Sequence, residues 1–162
     1  MRENKVVFMA QAAMIAAIYV ALCLAFAPFS YGPVQVRVAE ALTILPFFTP
    51  AAVPGLFIGC LTANLAGGSI LLDVVFGSIA TLIGAAGTWM LRKKSRYLAP
   101  LPPILANTLI VPFVLRYGYG EPLPIPLLMG SVGIGEVLSC GLMGMVLLTV
   151  LERYRKFIFR TA

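Results

Sequence analysis

Residues Gln35–Phe48 read QVRVAEALTILPFF. An arginine and a glutamate stand three residues apart, directly ahead of an apolar run, in a 162-residue chain that is 11% charged and contains no histidine. In a soluble domain such a pair would be ordinary surface chemistry. Here 60% of the residues are hydrophobic and the mean hydropathy is +0.98. That leaves too little charge to hydrate the surface of a soluble domain, so the chain reads as an integral membrane protein. The run after Glu40 becomes a short helix, residues 39–48, which Pro46, Pro50 and Pro54 break from the next segment.

Working outward, residues 6–27 form a span of standard length, since about 20 apolar residues cross the hydrocarbon. Pro28, Gly32 and Pro33 mark a loop before the short helix. A third segment covers residues 51–66 and stops at Gly67-Gly68. The fourth, 73–91, is closed by the basic run Arg92, Lys93, Lys94 and Arg96. The fifth is 101–115, followed by a loop rich in Tyr, Gly and Pro, and the sixth is 127–151, followed by Arg153, Arg155, Lys156 and Arg160. The expected fold is an all-α membrane protein, a compact bundle of six transmembrane helices in a single domain, residues 1–162. The N-terminal MRENK and apolar run have the look of a secretory signal, but 6–27 is long enough to span and is read as retained.

With both termini cytoplasmic and six crossings, ten of the twelve Lys and Arg residues fall inside, leaving Arg37 and Arg116 outside. This agrees with the positive-inside rule and implies a multi-pass protein of the cell membrane. The net charge of +6 is then a topology signal and a contact for anionic lipid, and no nucleic acid is implied.

Several functions are excluded at this stage. No Gly-rich phosphate loop exists for an internal ATPase. Without histidine, His-based metal and acid–base sites are absent. Cys23, Cys60 and Cys140 are odd in number, far apart and embedded in apolar segments, so they read as packing residues; no metal and no cofactor is implied. No nucleophile–base pair suggests an enzyme.

The informative residues are the polar ones in or beside the spans: Arg37, Glu40, Asn64, Asp73, Asn107, Arg116 and Glu136. An ionisable group at mid-bilayer costs about 2.5–3.5 kcal/mol on insertion scales, so it faces a partner or a cavity. Glu136 stands within the sixth span, flanked by Gly133 and Gly135. By the expected topology these residues gather in the outward half of the bundle, as a capture site would and a through-channel would not. With loop aromatics such as Tyr31, Tyr117 and Tyr119, the set suits a small planar heterocycle rich in N–H groups, including a cationic one. Arg37 and Glu40 are expected to share a helix face and pair, either as a ligand clamp or as a structural ion pair. In the first span Ala13, Ala17, Ala21 and Ala25 recur every four residues, a smooth face for internal packing or for a partner subunit.

Six short spans, this alanine ladder and the loop entering QVRVAEALTILPFF resemble the substrate-binding S components of energy-coupling factor (ECF) transporters. Residues 36–48, GLFIGCLTAN at 55–64 and DVVFGSIATLIGA at 73–85 resemble the QueT family in particular. The resemblance implies an S subunit of an ECF-type importer that captures a queuosine precursor, a deazaguanine base such as the pre-queuosine base or queuine. Its partners would be a transmembrane coupling subunit, docked on Ala13, Ala17 and Ala21, and two ATP-binding-cassette ATPases. The loop 28–36 would gate the site. Glu40 and Glu136 would read the base's N–H edge and any aminomethyl cation, and Asn64 and Asn107 its carbonyl or ring nitrogens, with Arg37, Asp73, Tyr31 and Tyr117 completing the site. The other readings are an S component for another vitamin-like heterocycle and a small autonomous channel or facilitator.

Overall fold

The structure, a computed structural model, describes the backbone of residues 2–26 and 36–158 and the side chains of 5–26, 36–155 and 158. Helix α1 (Arg2–Ala25) is followed by α2 (Val38–Phe47), wound as a 3-10 helix, then α3 (Ala52–Ala66) and α4 (Leu71–Leu91). A single 3-10 turn, Arg96–Leu98, leads to α5 (Leu101–Tyr117). The last element, α6, is one rod over 125–158: α-helical for Ile125–Glu136, π-helical for Val137–Met143 and α-helical again for Gly144–Ile158. The described residues contain no strand, so the all-α expectation holds.

Among the described residues, four stretches are long and apolar enough to cross a bilayer: Lys5–Ala25, Leu71–Leu91, Arg96–Tyr117 and Ile125–Arg155. The other two helices are shorter. At 1.5 Å per residue α3 is about 22 Å long, and at 2.0 Å per residue the 3-10 wound α2 reaches about 20 Å. Sequence reading expected an unspecified short helix at α2 and did not foresee its winding. Residues 39–46 are all buried, so no face of α2 is left for lipid, and Pro46 sits inside it without an N–H to donate.

Close approaches fix the directions. Gly55 of α3 lies on Ala12 of α1, and Gly59 on Ala16 and Tyr19, so both partners advance together and α1 and α3 run parallel. Gly84 and Gly87 of α4 lie on Pro103 and Pro102 of α5, an antiparallel register, with the Thr88 hydroxyl donating to the Ala99 carbonyl at 2.7 Å. Gly133 and Gly141 of α6 face Thr108 and Ile104 of α5 in reverse order. Helices α1, α3, α4, α5 and α6 are successive neighbours in an arc, and α2 runs inside it, touching α1, α3, α4 and α6.

These directions bring Arg92, Lys93, Lys94, Arg96, Arg153 and Arg155 to one end, where Arg96 pairs with Glu152 at 3.0 Å. The other end carries Arg37, Asp73 and the loop after α5. The outside is apolar, with Met9, Leu71, Met90 and Leu142 more than 60% exposed. The inside holds the polar groups, which is the arrangement of a chain solvated by lipid.

Candidate functional site

The polar side chains meet in two connected clusters. The first lies toward the end opposite the basic residues. Arg37 precedes α2 in extended backbone (φ −87°, ψ 102°), so its side chain leaves the helix and reaches Asp73 at the start of α4, Nη2 to Oδ2 at 3.6 Å. The Tyr119 hydroxyl donates to the same Oδ2 at 3.0 Å. Partial burial, reinforced by the charge of Asp73, raises the Tyr119 phenol above its ordinary value, so at neutral pH it remains a donor. Asn64 Nδ2 donates to the Asp73 carbonyl at 3.3 Å, which ties α3 to α4. A methyl at Gly77 would stand 2.9 Å from Asp73 Oδ1 and 3.3 Å from Asn64 Nδ2, so the glycine keeps space open at that carboxylate.

The second cluster is deeper. Glu40 on α2 accepts a hydrogen bond from the Tyr19 hydroxyl of α1. Thr43, one 3-10 turn on, donates to the Glu40 carbonyl at 2.6 Å and so braces the residue that carries the carboxylate. Glu136 ends the first α-helical part of α6, and the Cys140 thiol donates to its Oε2 at 3.1 Å. Asn107 of α5 faces both carboxyls. The π segment begins at the residue after Glu136, a placement common for such bulges at functional sites. The donor atoms of Glu40, Glu136 and Cys140 lie within 4.8 Å of one another. A metal ion could bridge that spacing, but Tyr19 and Cys140 already donate to the two carboxylates, and we assign no metal.

Glu40 Oε2 and Asp73 Oδ1 are buried and accept no hydrogen bond within the described structure. A carboxylate oxygen without a donor away from water carries the full desolvation cost of the group. One such atom stands in each cluster, with the chemistry to accept an N–H or N⁺–H donor.

Of the residues singled out in the sequence, Arg37, Glu40, Asn64, Asp73, Asn107 and Glu136 are all buried and fall in these clusters. The expected Arg37–Glu40 ion pair is corrected: Arg37 ion-pairs with Asp73 and Glu40 takes Tyr19, because the extended backbone at residue 37 removes the shared helix face. Tyr117 is 72% exposed and borders an apolar groove on the outer surface with Leu72, Phe76 and Phe113, so it stands apart from both clusters, and Tyr119 is the tyrosine that reaches Asp73. Tyr31 and most of the expected gating loop lie outside the described residues. Ala13, Ala17 and Ala21 form an exposed face of α1. Sequence reading missed Tyr19 and Cys140. A tyrosine in the middle of a span, away from the interface where the residue is usually found, was the available signal for the first. The four-residue spacing from Glu136 was the signal for the second.

The fold and the clusters define a polytopic membrane protein with a buried polar site. Compared with known sequences, the chain matches the model of the QueT transporter family over residues 9–153, and it belongs to that family. A curated relative, "Queuosine precursor transporter QueT" of Lactococcus lactis subsp. cremoris (strain MG1363), is 33% identical over 85 residues, 51% of this chain and 50% of the relative. The match thus spans about half the length of that relative. No solved structure matches. The family and the relative are transporters, in keeping with the expectation that the chain is not an enzyme.

Proposed function

We propose that the chain is the substrate-capture subunit of an ECF-type importer and binds a queuosine precursor, a deazaguanine base such as the pre-queuosine base or queuine. The observation that carries this reading is the pair of buried carboxylate oxygens without donors, Glu40 Oε2 and Asp73 Oδ1, in a member of a transporter family. A deazaguanine presents a ring N–H and an exocyclic amine on one edge, which a carboxylate reads through two hydrogen bonds. Asn64 and Asn107 supply amides for the carbonyl and ring nitrogens. The end bearing Asp73 faces outward and the basic end faces the cytoplasm, as positive-inside bias directs. Both termini are then cytoplasmic and the chain sits in the cell membrane. Polar groups gathered toward one end support capture from one side over conduction through the bundle.

The protein purified from cells that make or import queuosine precursors is expected to carry a deazaguanine, identifiable by mass spectrometry of the extracted ligand. A non-purine vitamin in that extract would overturn the substrate.

The partners in this reading are a transmembrane coupling subunit and two ATP-binding-cassette ATPases. The surface offered for docking is the exposed ladder Ala13, Ala17 and Ala21, where the absence of side chains lets another helix approach closely. Ala17→Leu is expected to abolish recovery of the ATPase subunits with the tagged protein while leaving ligand binding at the wild-type level. Undiminished recovery would remove α1 as the docking face.

A further inference from the structure

We propose that Glu40 and Glu136 hold a single proton between them in the ligand-free protein and exchange it for a cationic arm of the ligand. On the reading of the site as a deazaguanine site, it therefore selects precursors bearing an amine over neutral ones. The argument is one of charge and space. Among the described residues the interior holds three buried carboxyls, Glu40, Asp73 and Glu136, and one buried guanidinium, Arg37. Arg37 is committed to Asp73 at 3.6 Å. Glu40 and Glu136 approach within 4.8 Å in surroundings that exclude water.

Among the described residues, the groups facing this pair are Tyr19 and Cys23 of α1, Arg37, Cys60 of α3, Asn107 of α5 and Cys140 of α6. Among them only Arg37 is a cation, and its ion pair is with Asp73. Tyr19 and Cys140 each donate to one carboxylate, which supports one delocalised negative charge. Two like charges this close in a low-dielectric interior do not both persist without a cation between them, so one carboxyl keeps its proton. An alkylammonium entering beside Glu40 Oε2 supplies that cation. The carboxyl O–H then breaks, its proton leaves to bulk water, and the net charge of the site is the same before and after binding. A neutral substituent offers no such exchange and leaves the second carboxyl protonated and poorly matched.

The test is calorimetry on the purified full-length protein, freed of endogenous ligand, in two buffers of different ionisation enthalpy at neutral pH. The probes are 7-aminomethyl-7-deazaguanine and its 7-cyano analogue. The amine is expected to bind with release of about one proton, and the nitrile about 10- to 100-fold more weakly with none, the range of a charged hydrogen bond. Glu136→Gln is expected to abolish proton release and to reduce the preference for the amine. If the nitrile binds as tightly as the amine and neither releases a proton, the charge exchange is wrong and the deazaguanine reading stands. If neither compound binds to folded protein, both fall together.

Discussion

Arg37→Met is expected to lower the stability of the bundle by about 3–5 kcal/mol, read as a large fall in apparent melting temperature in detergent. The substitution keeps an unbranched apolar stem and deletes the guanidinium, with its charge and its N–H donors. What remains is Asp73, 3% exposed, with Tyr119 as the donor to Oδ2 and Oδ1 still unsatisfied. A buried carboxylate stripped of its cation costs far more than the pair was worth, because desolvation is no longer offset. Asp73→Asn in the same protein removes the orphaned charge and is expected to recover most of the loss. Without such rescue, or with Arg37→Met melting like wild type, the ion pair would not be what joins the entry of α2 to α4.

The reach of sequence reading follows from the range of each interaction. Glu40, Asn107 and Glu136 were legible because a polar group in a span must face inward, whatever its partner. Their partners were not legible. Arg37 sits three residues from Glu40 in sequence, yet it bonds Asp73, 36 residues on. Helical spacing was the wrong guide there, since residue 37 is still extended chain. Tyr19 looked like one more apolar residue of α1 until the parallel packing of α1 on α3 turned it toward α2. The winding of α2 was hidden for a related reason: a helix buried on every side shows no periodicity from which its turn could be read. The spans themselves were set by length and hydropathy, and the helix ends agree with them within a few residues except in α6, which runs on to Ile158.

Gly55→Leu is expected to cost about 3 kcal/mol or more and to weaken ligand binding with it. Even a β-carbon at Gly55 would stand 2.7 Å from the Ala12 carbonyl oxygen and 3.2 Å from Ala12 Cα. Those are backbone atoms of a regular helix and cannot turn aside as a side-chain tip would. The only relief is for α1 and α3 to separate, which also opens the contact of Gly59 with Ala16 and Tyr19. Tyr19 is the donor to Glu40, so the strain reaches the ligand site without touching it. The matched control is Gly130→Leu: an added β-carbon there meets nothing within 4 Å, and the helix gains a better former, so stability is expected to stay level or rise by up to about 1 kcal/mol. Melting temperature and ligand affinity measured on both variants separate the two effects. Equal behaviour of the two would mean that α1 and α3 are not held at backbone contact. The alanines of α1 then divide by face: Ala12 and Ala16 are spent on α3, while Ala13, Ala17 and Ala21 form an exposed row.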